Sequence, residues 1–222
     1  MSEQSTSCEV GRGLLAGWLG ARSIARGLPL PVSDKGALRV DTGSADEVKR
    51  YVFAGPSPEI RELALSITAP HVFIKMCGHA DQLLDLVPPG WQLQPVGYLM
   101  AHEGSRDALP ALPAGYRLEL ATEDFTSVAR IFAADGDLAA SGYAAEYGGV
   151  FIFDRIITGD AHQRRGLGRA VMAALGSTQR SDVARRLLVA TEAGRALYST
   201  LGWTVLSPFS TVVIQYAMSS MR

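Results

Sequence analysis

The chain has 222 residues, 47% of them apolar and 19% charged, with a net charge of −1. This supports a substantial core in one large or two small domains, and it excludes both a disordered chain and a basic nucleic-acid-binding domain. The start lacks a basic-then-apolar signal peptide and no apolar run reaches the ~18 residues of a membrane span, so a cytoplasmic protein without membrane contact is expected.

A helix is predicted over 14–25, where Leu15, Trp18, Leu19 and Ile24 fall near one face, and the run GLPLP at 27–31 stops it. Strands over 37–40 and 49–53 flank a polar stretch and suit a hairpin with a long turn. A helix over 56–69 opens on Ser57-Pro58-Glu59, and a strand over 72–76 and a helix over 79–86 follow. Pro88-Pro89-Gly90 leads into an extended run over 91–100. Residues 1–110 thus read as a small N-terminal α/β unit, with disorder expected only at 1–8.

A Gly- and Pro-containing linker at 103–115 precedes a second domain over 113–222. Its strands are predicted at 116–120, 129–133, 138–146 and 150–158, with turns at Asp135-Gly136 and Tyr147-Gly148-Gly149. Residues 121–128 leave room for one short helix. A helix from Leu167 aligns Leu167, Val171, Ala174 and Leu175 to cover a sheet. A strand at 186–190, a helix at 194–201 and strands at 203–206 and 211–216 complete the domain. The order β-β-β-β-α-β-α-β-β describes an α/β (α+β) protein with a mixed, largely antiparallel sheet, without the alternation of a doubly wound fold.

Charge is uneven. Seven arginines between His162 and Arg195 face only Asp182 and Glu192, a local +5 against −6 for the remainder, which suits a compact polyanionic ligand. Within this region Gln163, Arg164, Arg165, Gly166, Leu167, Gly168 and Arg169 join a strong strand to a strong helix. Gly166 and Gly168 leave backbone N–H groups open to phosphate oxygens at the helix start, Gln163 can close the rim, and the arginines add a favourable field. The loop matches neither a Walker motif nor a dinucleotide fingerprint, and by itself it is equally compatible with an ordinary glycine-softened turn. Cys8 and Cys77 give no metal-ligand spacing, the histidines are scattered, and no metal is expected.

Gln163-x-x-Gly166-x-Gly168 resembles the Q/R-x-x-G-x-G/A motif of the GCN5-related N-acetyltransferase (GNAT) family. Residues 187–203, LLVATEAGRALYSTLGW, resemble that family's strand, short helix and LY..LGW/F signature. The resemblance covers about 116–216. It implies a sheet splayed open beside the strand ending at Thr158, with Ile156, Ile157 and Thr158 pairing to the pantetheine arm and residues 164–169 around the diphosphate. It implies an N-acyltransferase that moves an acetyl group from acetyl-CoA to an amine by direct attack in a ternary complex, with Tyr198 as the acid for the departing thiolate. Tyr198 also reads as a core or cofactor-stacking residue.

Asp154, on an otherwise apolar strand, and Glu146 are the candidate bases. Arg155 should point to the opposite face from Asp154, and a salt bridge to another arginine is an equal reading of Asp154. The acceptor is expected to be a small-molecule amine or a protein or peptide amine, with no nucleic acid, and a homodimer is left open. A catalytically silent acyl-CoA-binding regulatory module is the alternative. The family's helix pair between its first two strands has no room here, so residues 28–53 or 91–100 are expected to complete the acceptor wall.

Overall fold

The computed structural model describes residues 10–104 and 108–214. The expected disorder at 1–8, Cys8, and the end of the final predicted strand at Tyr216 lie outside the described residues. In chain order the elements are α1 (Arg12–Ile24), β1 (Val32–Asp34), β2 (Ala37–Asp41), β3 (Lys49–Phe53), α2 (Pro58–Ser66), β4 (Val72–Cys77), α3 (Ala80–Leu86), β5 (Trp91–Leu93) and β6 (Gly97–His102). They continue with β7 (Tyr116–Glu123), β8 (Thr126–Ala133), β9 (Leu138–Tyr147), β10 (Val150–Thr158), a 3-10 turn (Asp160–His162), α4 (Leu167–Gly176), β11 (Arg185–Ala190), α5 (Glu192–Thr200) and β12 (Thr204–Ile214). No helix among the described residues is long and apolar enough to cross a membrane.

The chain forms two compact units that interleave along the sequence. Of the described residues, one comprises 10–16, 28–100 and 189–214; the other comprises 17–27, 101–104 and 108–188. They do not coincide with the consecutive segments 1–110 and 113–222.

In the first unit the strands run in the order β1-β2-β3-β4-β12-β6, with β5 on β12. The predicted hairpin of β2 and β3 is present and antiparallel, and β3 pairs in parallel with β4 across the α2 crossover. Ser57 and Pro58 start α2, whose Ile60, Leu63 and Ala64 form one buried stripe. They pack with Phe53, Ile74, Met76, Leu83 and Val212 in a single core cluster.

The two final strands expected from sequence are one strand, β12. It pairs antiparallel with β4 from Phe209↔Cys77 to Val213↔Phe73 and with β5 from Val212↔Leu93 to Ile214↔Trp91. Pro208 suggests a break because it cannot donate to a ladder. Here it stands one residue before the β4 ladder begins, and its carbonyl accepts from Gly78 N–H at 2.8 Å.

In the second unit the order is β11-β10-β9-β8-β7. The short helix for which 121–128 leave room is absent. β7 and β8 pair without a break from Tyr116↔Ala133 to Glu123↔Thr126, turning at Asp124, which takes φ +53, and Phe125. A short polar residue tolerates that left-handed conformation, which lets a two-residue turn replace a helix.

Helix α4 packs on β8, β9 and β10. The approach is close: a Cβ on Gly142 would meet Ile156 Cδ1 at 2.4 Å and Val171 Cγ1 at 2.8 Å. The second half of α1 covers the other face. A Cβ on Gly17 would stand 2.7 Å from Val150 Cγ2, and one on Gly20 would stand 2.3 Å from Tyr147 Cδ1. Each glycine costs a helix interior about 1 kcal/mol relative to alanine, so close approach to the sheet accounts for both. The helix on this face is the second half of α1, residues 17–24.

Candidate active site

The site region begins where β10 leaves its partners. β10 and β11 pair in parallel only at Val150↔Arg185, Phe151↔Arg186 and Ile152↔Leu187, while β10 continues to Thr158. Its register with β9 shifts between Asp154 and Ile157, and Arg155 within that bulge has φ +52. A bulge re-aims side chains and frees an edge of backbone. Beyond Ile152, the β11-side edge of β10 carries Ile156, Ile157 and Thr158 without a parallel strand partner, and Ile157 is exposed.

Beyond Thr158 the chain makes the 3-10 turn and enters the glycine loop. Arg164 and Gly166 both adopt positive φ, +58 and +77, and Gly166 is the N-cap of α4 without a side-chain cap hydrogen bond. The first N–H groups of α4, from Leu167 to Arg169, therefore receive no side-chain acceptor from the cap, and the positive end of the helix dipole faces outward. Gln163 Nε2 donates to Asp160 Oδ1 at 2.9 Å, and His162 Nδ1 lies 3.0 Å from the Tyr116 hydroxyl. These bonds brace the loop from behind. Gln163, Arg164, Arg165 and Arg169 are at least partly exposed, whereas Leu167 is buried as the anchor of the first turn. A Cβ at Gly166 would meet nothing within 4 Å, and one at Gly168 would meet only Thr158 Oγ1, at 3.4 Å. The space over this turn thus carries no side chain from either glycine, so the first backbone N–H groups of α4 are open to an anion.

The two candidate bases are both engaged. Arg26 binds Asp154 with both ends of its fork, Nε to Oδ2 at 2.7 Å and Nη2 to Oδ1 at 2.9 Å, and Arg22 Nε lies 3.7 Å from Oδ1. Strand alternation places Arg155 on the far face; the bulge instead brings its Nε to 3.3 Å from Asp154 Oδ2, and its guanidinium stacks 3.7 Å from the Tyr143 ring centroid while donating to the Ala25 carbonyl. Burial pushes the Asp154 carboxyl up, but the Arg26 hydrogen bond and the charges of Arg22, Arg26 and Arg155 outweigh it and hold the group below its ordinary value. A carboxylate held ionised in this way is a poor proton acceptor. Glu146 Oε2 accepts the backbone N–H groups of Arg180 at 2.8 Å and Ser181 at 3.3 Å, which ties down the chain after α4.

Tyr198 belongs to the first unit, on α5. Thr191 caps this helix by accepting Gly194 N–H at 3.2 Å, and no α5 residue is buried outright. The Tyr198 ring lies 6.0 Å from that of Trp203, and partial burial raises its phenol pKa, so the group stays protonated through neutral pH. Beside it Glu192 bonds Tyr98 and Arg195, and Arg195 stacks 4.5 Å over the Tyr98 ring.

Sequence reasoning missed Arg22, Arg26 and Tyr116. The two arginines carried a partial signal, since a spacing of four residues sets Arg22 in the last turn of α1 and Arg26 in the turn just beyond it, one helical repeat apart; Tyr116 carried none. Among the described residues no three metal-ligating side chains converge. Cys77 is buried, which pushes its thiol up to about 12.

No protein-family model and no curated protein matches the sequence. Solved structures do match in fold. A GCN5-related N-acetyltransferase from Kribbella flavida superposes with a TM-score of 0.64 at 15% identity over 98% of each chain. A GNAT-family protein from Novosphingobium aromaticivorans gives 0.55 at 14% identity, covering 91% of this chain and 97% of its own. A tandem GNAT protein from the clavulanic acid biosynthesis pathway gives 0.54 at 14% identity, covering 82% and 79%. A parallel β10/β11 pair that opens ahead of a glycine-capped helix, within a chain that superposes on these proteins along most of its length, has the GCN5-related N-acetyltransferase fold.

Proposed function

We propose that the protein is an N-acyltransferase that uses acetyl-CoA to acetylate a small-molecule or peptide amine. The observation that carries this reading is the pair of left-handed residues, Arg164 and Gly166, that present the uncapped N-terminus of α4 beside the opened edge of β10. The α4 N–H groups and Arg164, Arg165 and Arg169 hold the diphosphate, and the backbone of Ile156, Ile157 and Thr158 pairs with the pantetheine amides. These roles carry the family's arrangement over onto matching positions.

In the reaction the neutral amine attacks the thioester carbonyl, the tetrahedral oxyanion collapses, the C–S bond breaks, and the thiolate takes a proton. Tyr198 gives that proton, since burial keeps its phenol protonated. Asp154 and Glu146 serve as positioning groups: their bonds to Arg26 and to the Arg180 and Ser181 amides leave the amine proton to depart through water.

A silent acyl-CoA-binding module is the competing reading, favoured by the engagement of both carboxylates. Release of free CoA thiol from acetyl-CoA in an amine and peptide panel decides between them. Amine-dependent release is expected; acetyl-CoA binding with no release from any amine would leave the binding module.

A further inference from the structure

We infer that residues 28–102 are a second copy of the fold formed by 116–214, and that this copy is closed to acyl-CoA, so each chain has one donor site. The inference rests on the donor-site reading of the C-terminal copy and asks whether the other copy can bind in the same way.

The repetition lies in the order and pairing of elements. β2 pairs antiparallel with β3, α2 crosses over, β4 returns parallel to β3, and the short helix α3 follows. β9 pairs antiparallel with β10, α4 crosses over, β11 returns parallel to β10, and the short helix α5 follows. Four successive features match in sequence and in strand direction.

Three differences close the N-terminal copy. First, every residue of β3 pairs with β4, from Lys49↔Val72 to Phe53↔Met76, so no backbone edge opens between them for a pantetheine arm. Phe53, Ile60, Leu63, Met76 and Leu83 fill the layer beneath with buried side chains. Second, residues 54–57 are all that separate β3 from α2, against 159–166 between β10 and α4. Pro56 and Pro58 remove N–H groups where a phosphate nest would need them. Third, the Ser57 hydroxyl donates to the Glu59 carboxylate in the first turn of α2, which sets a negative charge where a diphosphate would lie. The C-terminal loop instead has Gly166 and Gly168 among arginines.

The test is titration calorimetry of the full chain with acetyl-CoA on wild type, Gly168→Val, Arg165→Glu and Glu59→Gln. The expected stoichiometry is one per chain. Gly168→Val should abolish binding, Arg165→Glu should weaken it about tenfold without burdening the fold because its side chain is exposed, and Glu59→Gln should leave affinity within about twofold. Two equivalents in wild type, one equivalent surviving in folded Gly168→Val, or an affinity change in Glu59→Gln would overturn the inference. No binding in wild type would sink the donor-site reading and leave the N-terminal copy closed, so the two failures are distinguishable.

Discussion

The connections from β3 to α2 and from β10 to α4 occupy the same place in two repetitions of one topology, yet they present opposite surfaces. The first is short, proline-bearing and carries a carboxylate in the helix's first turn, and its strands stay zipped; the second is long, glycine-bearing and arginine-flanked, and its strands part after three pairs. The parallel crossover supplies only a helix aimed at a strand end. Whether that end receives an anion depends on which residues withhold their N–H groups and which expose them.

The largest expected effect comes from dividing the two regions. Expression of residues 113–222 alone should give no folded protein, because β12 finds its antiparallel partners in β4 and β5, both outside that piece. A soluble fragment with a cooperative unfolding transition would overturn this and would make the C-terminal copy autonomous.

Next in size is the loop. Gly168→Val should lower acetyl-CoA affinity by at least about a hundredfold while shifting the thermal midpoint little, since a Cβ there meets only Thr158 Oγ1. Calorimetry and circular dichroism read the two quantities separately, and retained affinity would return the loop to an ordinary turn.

Tyr198→Phe should reduce kcat by about a hundredfold with KM for acetyl-CoA nearly unchanged. The wild-type rate should hold to a pH above the ordinary phenol range of about 10 and then fall, because burial raises the Tyr198 pKa, and this alkaline limb should vanish in the variant. An unchanged kcat would leave the ring as a packing group against Trp203.

The smallest effect concerns Asp154. Its folded pKa lies below the unfolded value of about 3.9, so its contribution is complete above that value and is lost as pH falls through the folded pKa. Asp154→Asn should therefore cost about 2 kcal/mol at pH 7 and progressively less in acid, measured by urea unfolding. A pH-independent cost would assign the loss to packing.

Much of the architecture was legible in the sequence, unevenly. The apolar runs of β3, β4 and β10 and the stripe of α4 could be read because burial on one or two faces imposes a period. The start of α4 after the loop at 163–168 could be read because glycines ahead of an apolar stripe mark a helix boundary. The β10 bulge could not be read. Alternation assigns Arg155 to the wrong face, and only its left-handed φ returns the guanidinium to Asp154. Pro208 suggests a break in β12 because a sequence does not reveal where a ladder begins. The covering of the second sheet face by residues 17–27 depends on contacts between distant segments, as the Arg26–Asp154 pair illustrates across 128 positions, and local pattern carries no sign of it.

The position of β12 has a consequence for synthesis. Ser210 Oγ bonds the Gly78 carbonyl across 132 residues, beside the ladder that joins β12 to β4. A ribosome releasing this chain exposes an unpaired edge on β4 until β12 has emerged. The nascent sheet of β2, β3 and β4 must wait, open to pairing with neighbours on the same message, and a premature stop shortly before residue 204 would damage a sheet made long before it.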